Sequence, residues 1–459
     1  MHLNWHKLAH HILIAAILNP TLSFTTTTQA QQPCTLEPRF YYLGTAVEKV
    51  KNVEAALAYN HSVELDRNTA QFYVDRAQLL FAAVEFDELA IADYDTALQL
   101  EPQNPTIYFQ RANTLFFSSR YPEAITDYLT AISIFPPTDA NLSLANIMLA
   151  QAYIANQQYT EADALLNQLA IKGGQSALTN AVLGILQSTL GYAEIAEAYW
   201  SLVEDLDPAA AQFFIEQAFN FHERRDFEAS IAHATLALRF SNRNPNARLV
   251  AYFLRASSQL KRQQDVFTHS DPLDDQQIEL SAADATQAIA IDANCAPIYD
   301  LRGMAYTSLD NNDLALPDLN TATILDPDFY PTYQSRGLVN RDLGQNPLAD
   351  ADLDFWGNAF SVDLATYWAL CGNLFFELGD DRGAMASYMV ALLIMPNNLE
   401  AVLGAGDVLR AIGRFEDEHQ LYTDYLDQFG APADSEIHRR LDELEQLLGE
   451  NAALYRATL

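Results

Sequence analysis

The stretch that decides the fold is residues 365–398, ATYWALCGNLFFELGDDRGAMASYMVALLIMPNN, which aligns without a gap with residues 105–138, PTIYFQRANTLFFSSRYPEAITDYLTAISIFPPT. Both segments are 34 residues long, and bulky, small and proline residues stand at the same places in each. The shared places are 4 (Trp368, Tyr108), 8 (Gly372, Ala112), 20 (Ala384, Ala124), 24 (Tyr388, Tyr128), 27 (Ala391, Ala131) and 32 (Pro396, Pro136). Self-similarity at this spacing is typical of stacked helix pairs.

The small residue at the eighth place recurs along the chain. It is in turn Ala77, Ala112, Ala150, Gly184, Ala218, Ala256, Gly303, Gly337, Gly372 and Gly406. Most steps between these residues are 34 or 35 residues, and the exceptions are 38, 38 and 47. A small side chain here lets the second helix of a pair approach the first closely. One pair buries only part of its apolar surface, so the stack is the folding unit.

This pattern resembles the tetratricopeptide repeat (TPR) family, whose 34-residue unit is a helix–turn–helix. The resemblance implies an all-α fold, a right-handed superhelical solenoid of antiparallel helix pairs. We expect about ten TPR-like repeats, a degenerate N-terminal repeat and a C-terminal capping helix.

The chain divides into five parts on this basis. They are a signal peptide (1–30), a degenerate TPR-like repeat (36–69), an N-terminal TPR array (70–243), a C-terminal TPR array (244–432) and a capping helix with a tail (433–459). The capping helix is expected to open at Ser435 and to cover the last apolar face. An acidic insertion near 263–280 accounts for the longest step. We interpret it as a tolerated surface loop, with a functional loop as the alternative.

The first thirty residues predict export. Lys7 precedes the short apolar run Ile12 to Leu18, and a polar stretch ends at Ala30, which is the anatomy of a secretory signal peptide. The apolar run is too short to span a bilayer, so no stable membrane insertion is expected once the signal is removed. The expected location is a bacterial periplasm, a cell envelope or the extracellular space.

The three cysteines, Cys34, Cys295 and Cys371, are far apart and form no CxxC pair. Neither a zinc site nor a disulfide framework is therefore indicated. Cys371 lies among helix residues and is interpreted as a small buried hydrophobe. The sequence leaves open whether Cys34 is bonded to Cys295 or carries a lipid.

The charge balance excludes one class of partner. With 26 basic and 60 acidic residues, the chain has a formal charge of −34. Such a chain repels phosphate backbones, so no nucleic-acid partner is expected. The acidity is interpreted chiefly as a solubility feature of a long exposed surface, with steering of basic partners as the alternative.

No pattern of catalytic or metal-binding residues stands out. The histidines are scattered without an HExxH motif, and the sequence contains neither a P-loop nor a GxSxG elbow. Residues Asp310 to Asp313 resemble a calcium loop faintly, but they lack its glycine and its distal glutamate. We therefore expect no enzyme activity, no cofactor and no metal.

In the TPR family the first helices line the concave face, and the resemblance implies that ligands lie there. The corresponding places carry apolar and amide side chains, which suit a peptide because amides both donate and accept hydrogen bonds. The candidate peptide-binding residues are Val74, Gln78, Phe81, Phe109, Gln110, Asn113, Phe116, Phe117, Met148 and Gln151. No cluster of Lys and Arg accompanies them, which argues against a clamp for a C-terminal carboxylate.

These observations predict an exported TPR scaffold that binds a peptide or protein partner in its concave groove. The alternative is an accessory subunit of an envelope enzyme or secretion complex, docked through its outer helix faces. The identity of the partner and the oligomeric state are not determined by the sequence.

Overall fold

The computed structural model describes residues 34–41, 46–60, 69–83, 86–173, 176–203, 209–242, 244–266, 275–432 and 435–458. Within these ranges every regular element is a helix and no strand occurs, which confirms the predicted all-α class. The helices are α1 (Pro38–Tyr41), α2 (Ala46–Asn60), α3 (Ala70–Ala82), α4 (Asp87–Leu100), α5 (Pro105–Phe117), α6 (Tyr121–Ile134), α7 (Ala140–Ala155), α8 (Tyr159–Gly173), α9 (Ala177–Thr189), α10 (Ala193–Val203), α11 (Ala209–Glu223), α12 (Phe227–Phe240), α13 (Pro245–Val266), α14 (Asp275–Ile291), α15 (Ala296–Ser308), α16 (Asn312–Leu325), α17 (Pro331–Asp342), α18 (Asn346–Glu377), α19 (Asp381–Ile394), α20 (Leu399–Ala411), α21 (Phe415–Phe429) and α22 (Glu436–Thr458). The predicted signal peptide lies outside the described residues.

Helices α3 to α21 form ten consecutive pairs, as the ten eighth-place residues predict. α12 and α13, on either side of residue 243, pack against each other as other neighbours do, so the stack continues there. α22 packs against the last pair and buries Ile437 and Leu444 beside Tyr422. The capping role predicted for this helix therefore agrees with its packing.

The eighth-place residues lie where two helices of a pair approach most closely. The five alanines at this place have no exposed surface. A Cβ atom built on Gly372 would lie 2.5 Å from the ring of Tyr388, sixteen residues later, and one on Gly406 would lie 2.0 Å from the Tyr422 hydroxyl. The absence of a side chain is thus a packing requirement at these glycines.

We expect Gly372→Ala to lower the free energy of unfolding by about 1–3 kcal/mol, because the buried Tyr388 ring has no room to move away. Gly357→Ala is the matched control, since Gly357 is also helical but has no atom within 4 Å of an added Cβ. This control should be neutral or stabilising by up to about 1 kcal/mol. Urea unfolding followed by circular dichroism measures both, and equal effects would contradict the packing role.

A second periodic pattern, of charged side chains, connects neighbouring repeats. An arginine at the seventh place pairs through two nitrogens with an aspartate on the second helix, as Arg302 does with Asp318 at 2.7 Å. The other pairs of this kind are Arg76–Asp93, Arg111–Asp127, Arg255–Asp284 and Arg336–Asp352. The third nitrogen reaches the preceding repeat, as Arg302 reaches Thr286 at 3.1 Å. Each arginine therefore fixes two repeats in one geometry.

Two departures from regular repeats follow from local sequence. α18 runs unbroken for 32 residues and serves both as the second helix of one repeat and the first of the next. The place that carries Pro136 and Pro396 in the quoted repeats is here Ser361, and without proline the helix continues. The insertion near 263–280 is taken up partly by helix, because α13 extends to Val266 and α14 begins at Asp275. Its residues 267–274 lie outside the described part.

Candidate functional site

The predicted peptide-binding strip lies on first helices, but most of it is covered. The residues less than a tenth exposed are Val74, Phe109, Phe116, Phe117, Met148 and Gln151. Phe81, Gln110 and Asn113 are half-buried, and Gln78 is exposed. The Asn113 side chain accepts a hydrogen bond from the Tyr128 hydroxyl at 2.7 Å. Peptide binding by this strip stays a prediction, and it would require part of the surface to be uncovered.

Helix α11 covers the strip. The Phe221 ring lies 6.0 Å from the Phe116 ring and 5.3 Å from the Phe117 ring, between centroids. The Gln217 amide donates to the Met148 sulfur at 3.5 Å. First helices from repeats three units apart therefore meet across the interior of the superhelix. We call the surface that these first helices line the interior face.

Residues 34–41, which we call the N-terminal segment, lie on the interior face in the middle of the stack, where they contact α11 and the connection between α14 and α15. Phe40 is 1% exposed, and its ring meets the Phe219 ring edge-on at 5.4 Å. Arg39 donates two hydrogen bonds to the Glu216 carboxylate, at 2.7 and 2.8 Å. The Thr35 backbone N–H and hydroxyl both donate to the Asp292 carboxylate, at 2.8 and 2.7 Å.

A disulfide fixes the end of this segment. Cys34 is bonded to Cys295, which precedes α15, and 261 positions separate the two residues in sequence. The choice that the sequence left open is thus resolved as a disulfide. The two sulfurs lie near the Asp292 carboxylate, but they are bonded to each other and are not thiolate ligands for a metal. Cys371 is buried, as predicted.

The first half of the predicted degenerate repeat thus behaves unlike a repeat helix. Its residues form the N-terminal segment, whereas its second half is α2, which packs against the C-terminal part of α18. Val53 and Leu57 of α2 contact the core that contains Tyr367 and Leu374. The N-terminal segment and α2 therefore contact two distant parts of the stack, its middle and α18.

A cavity of about 310 Å³ opens beside the N-terminal segment. Aromatic rings supply much of its wall, and a carboxyl and an ammonium group line it. Its lining includes Tyr41, Phe253, Phe329, Tyr330, Trp356, Phe360, Lys261 and Asp300. We call this space the Asp300 cavity. It was not anticipated from the sequence.

Asp300 is the unusual group of this cavity. Its side chain is buried, and its Oδ1 atom has no hydrogen-bond partner among the residues that the structure describes. Burial raises the pKa of Asp300 to about 7, although Thr332 and Lys261 lower it in part. Asp300 stands at the fifth place of its repeat, where Phe109 stands in an earlier one. An acidic residue at an inward-facing apolar place is the signal that could have found it.

One buried histidine contacts a serine. The His222 Nδ1 atom lies 2.8 Å from the Ser258 hydroxyl, which lies 2.8 Å from the Ser230 hydroxyl. Burial lowers the pKa of His222 to about 3, so the ring is neutral at pH 7. Ser258 has no exposed surface. The arrangement is a packed hydrogen-bond chain without substrate access.

No family model matches the chain, but curated relatives are similar in sequence. The CTR9 homolog of Arabidopsis thaliana is 24% identical over 266 residues, which is 48% of this chain and 24% of that protein. The chain therefore spans about a quarter of the length of this relative.

Solved structures of helical repeat proteins are similar. A thermophilic TPR protein of Thermus thermophilus is 21% identical, with 43% of this chain and 98% of that chain covered and a TM-score of 0.29. The APC/C hetero-tetramer Cut9–Hcn1 is 16% identical, with 88% and 83% covered and a TM-score of 0.29. These values describe similarity only. The repeat fold is identified from the ten helix pairs and their 34-residue spacing. The chain is an all-α solenoid of TPR-like repeats. Among the described residues of this solenoid, no helix has the length and apolarity needed to cross a membrane.

Proposed function

We propose that this TPR protein is an exported scaffold that binds a peptide or protein partner on its interior face. One observation carries the proposal: the interior face in the middle of the stack already holds a peptide, the N-terminal segment of the same chain. That segment is bound by a buried aromatic side chain, a paired arginine and backbone hydrogen bonding. Such anchors are the usual basis of peptide recognition.

The bound segment indicates what a partner peptide would contain. Phe40 fills an apolar site, and Arg39 meets the Glu216 carboxylate. A partner peptide with an aromatic residue next to an arginine would reproduce both contacts. The formal charge of −34 favours the approach of a basic peptide over an acidic one.

Export is part of the proposal. The Cys34–Cys295 disulfide supports it, because such bonds persist in oxidising compartments and are rare in the cytosol. The sequence of residues 1–30 supports it independently, through its apolar run and small-residue end.

A peptide-binding experiment tests the interior face directly. The full chain carrying Cys34→Ser, Arg39→Ala and Phe40→Ala has a weakened N-terminal segment, and its interior face should accept a labelled peptide of residues 33–43 with serine in place of Cys34. We expect micromolar binding by fluorescence anisotropy, on the order of −8 kcal/mol. The disulfide-bonded wild-type chain should bind this peptide at least about tenfold more weakly, because its own segment occupies the site.

A control peptide with alanine at both Arg39 and Phe40 distinguishes specific recognition from nonspecific binding. It should lose most of the binding, since it lacks both anchors. Equal binding of the two peptides, or no binding by a variant whose helical circular dichroism is unchanged, would rule out the interior face as a peptide site.

The second candidate function is that of an accessory subunit docked through its outer helix faces. Large apolar side chains exposed on second helices favour it: Ile324 is 74% exposed, Met389 63% and Leu393 83%. Exposed apolar surface of this kind marks interaction sites when it is contiguous. Co-purification with another protein at fixed stoichiometry would favour this candidate over a free peptide-binding scaffold.

A further inference from the structure

We propose that the Asp300 cavity binds an organic cation, namely a guanidinium or ammonium group on an apolar stem, with Asp300 as its counter-ion. This inference goes beyond the proposed function, because the cavity is a separate space from the sites that Arg39 and Phe40 occupy. The two experiments therefore fail independently.

The Asp300 carboxyl is the charged group that would hold the cation. It is 3% exposed, and Oδ1 is unpartnered within the described part of the chain. Buried carboxylates are normally paired or hydrogen-bonded, because an unpaired one is costly to bury. Because Asp300 lines the cavity, its carboxyl is suited to a donor brought by a ligand. A cationic donor satisfies both the hydrogen bond and the charge.

The aromatic wall of the cavity suits a cation on an apolar stem. Phe329, Tyr330, Trp356 and Phe360 line the same cavity, and the Trp356 and Phe360 rings stack with their centroids 5.4 Å apart. Aromatic faces attract cations and also cover apolar stems. A volume of about 310 Å³ holds a group of side-chain size and not a folded segment.

The positive charge of Lys261 distinguishes a cationic ligand from an anionic one. Its ammonium lines the cavity, yet no ion pair within 4 Å joins it to Asp300 in the described structure. The Lys261 ammonium repels a cation that enters the cavity. Removal of this charge should therefore tighten the binding of a cation, whereas it would weaken the binding of an anion.

The test uses the full disulfide-bonded chain and isothermal titration calorimetry. The probe is N-acetyl-arginine methylamide, and the matched neutral probe is N-acetyl-citrulline methylamide, which has the same shape without the charge. We expect the arginine probe to bind at least about tenfold more tightly than the citrulline probe.

Three variants locate the binding in the cavity. Asp300→Asn should weaken the arginine probe at least about tenfold, because the amide has no charge. Lys261→Met should tighten it. Asp328→Asn, which removes an exposed carboxylate outside the cavity lining, should leave it unchanged.

The source of the cation is resolved by two further probes. Butylguanidinium represents a free small molecule, and a blocked Gly-Arg-Gly tripeptide represents the side chain of a protein partner. Tighter binding of either one supports the cation site and assigns its source. Equal binding of the arginine and citrulline probes, equal effects of Asp300→Asn and Asp328→Asn, or no binding of any cationic probe would overturn the proposal.

Discussion

Cys34→Ser is expected to release the N-terminal segment from the interior face and to expose Arg39 to trypsin. The disulfide joins residues separated by 261 positions, and a cross-link of this span contributes roughly 5.5 kcal/mol by the chain-entropy relation. The remaining contacts of Phe40 and Arg39 are noncovalent. Because α2 still tethers the segment, only part of that free energy is lost on substitution.

Proteolysis provides a sensitive readout of this release. When opening is fast, the rate of cleavage follows the population of the open form. A loss of only about 1.4 kcal/mol raises that population tenfold, so cleavage after Arg39 should accelerate at least about tenfold. Mass spectrometry of the first trypsin products measures it, and treatment of the wild-type chain with a dithiol reductant should reproduce the effect.

Thr35→Ala is the matched control for this experiment. It removes a hydrogen bond from the same segment to Asp292 but leaves the disulfide in place. The site at Arg39 should therefore stay protected. If Cys34→Ser is cleaved no faster than Thr35→Ala, then noncovalent contacts alone hold the segment, and reduction of the disulfide would not uncover the interior face.

The sequence predicts the register within each repeat well, because that register has a local cause. The eighth-place residues from Ala77 to Gly406 mark the points where two helices touch, and each has a fixed spacing from its partner. The capping helix was predictable for a similar reason, since a solenoid must cover its last apolar face. These features depend on neighbours in sequence.

What the sequence does not predict is contact across the superhelix. The rings of Phe116 and Phe221 meet because of the pitch of the whole stack, which no single repeat determines. The sequence pattern of an interior-facing residue is therefore the same whether the residue is open to a ligand or covered by another helix. The choice between these outcomes decides the candidate site, and the structure covers most of the predicted strip.

The N-terminal segment and the disulfide were unpredictable for the same reason. Cys34 and Cys295 are brought together only when the stack curves around the segment. By contrast, the arginine–aspartate pattern was readable: Arg302 and Asp318 recur as Arg336 and Asp352 at the same spacing of sixteen residues. A search for charged pairs at the repeat spacing would have found it.

Asp300→Asn is expected to stabilise the chain at alkaline pH. The ordinary pKa of this carboxyl, 3.8, is raised to about 7 by burial in the folded chain. Below pH 4 both the folded and the unfolded states are protonated. Between about pH 4 and 7 the unfolded state loses its proton first, so the folded state binds more protons and stability falls as pH rises. Above pH 7 both states are charged and the cost is constant.

The substitution removes this pH-dependent cost. Relative to the wild-type chain, Asp300→Asn should raise the free energy of unfolding on the order of 4 kcal/mol at pH 8 and about 2 kcal/mol at pH 5.5. Urea unfolding of both chains at the two pH values measures how the effect of the substitution changes with pH. The direct effect of the amide is the same at both pH values and cancels in this comparison. Asp328→Asn, at an exposed carboxyl, should show no such change between the two pH values.

The free-energy cost of burying the charged Asp300 carboxylate also connects stability to the cation site. At pH 8 the wild-type chain holds a buried carboxylate whose charge the aromatic wall does not satisfy, and a bound guanidinium would satisfy it. Excess N-acetyl-arginine methylamide should therefore stabilise the wild-type chain at pH 8 more than Asp300→Asn, because a ligand stabilises only the state it binds. A stability difference between wild type and Asp300→Asn that does not vary with pH would show that the carboxyl titrates alike in both states.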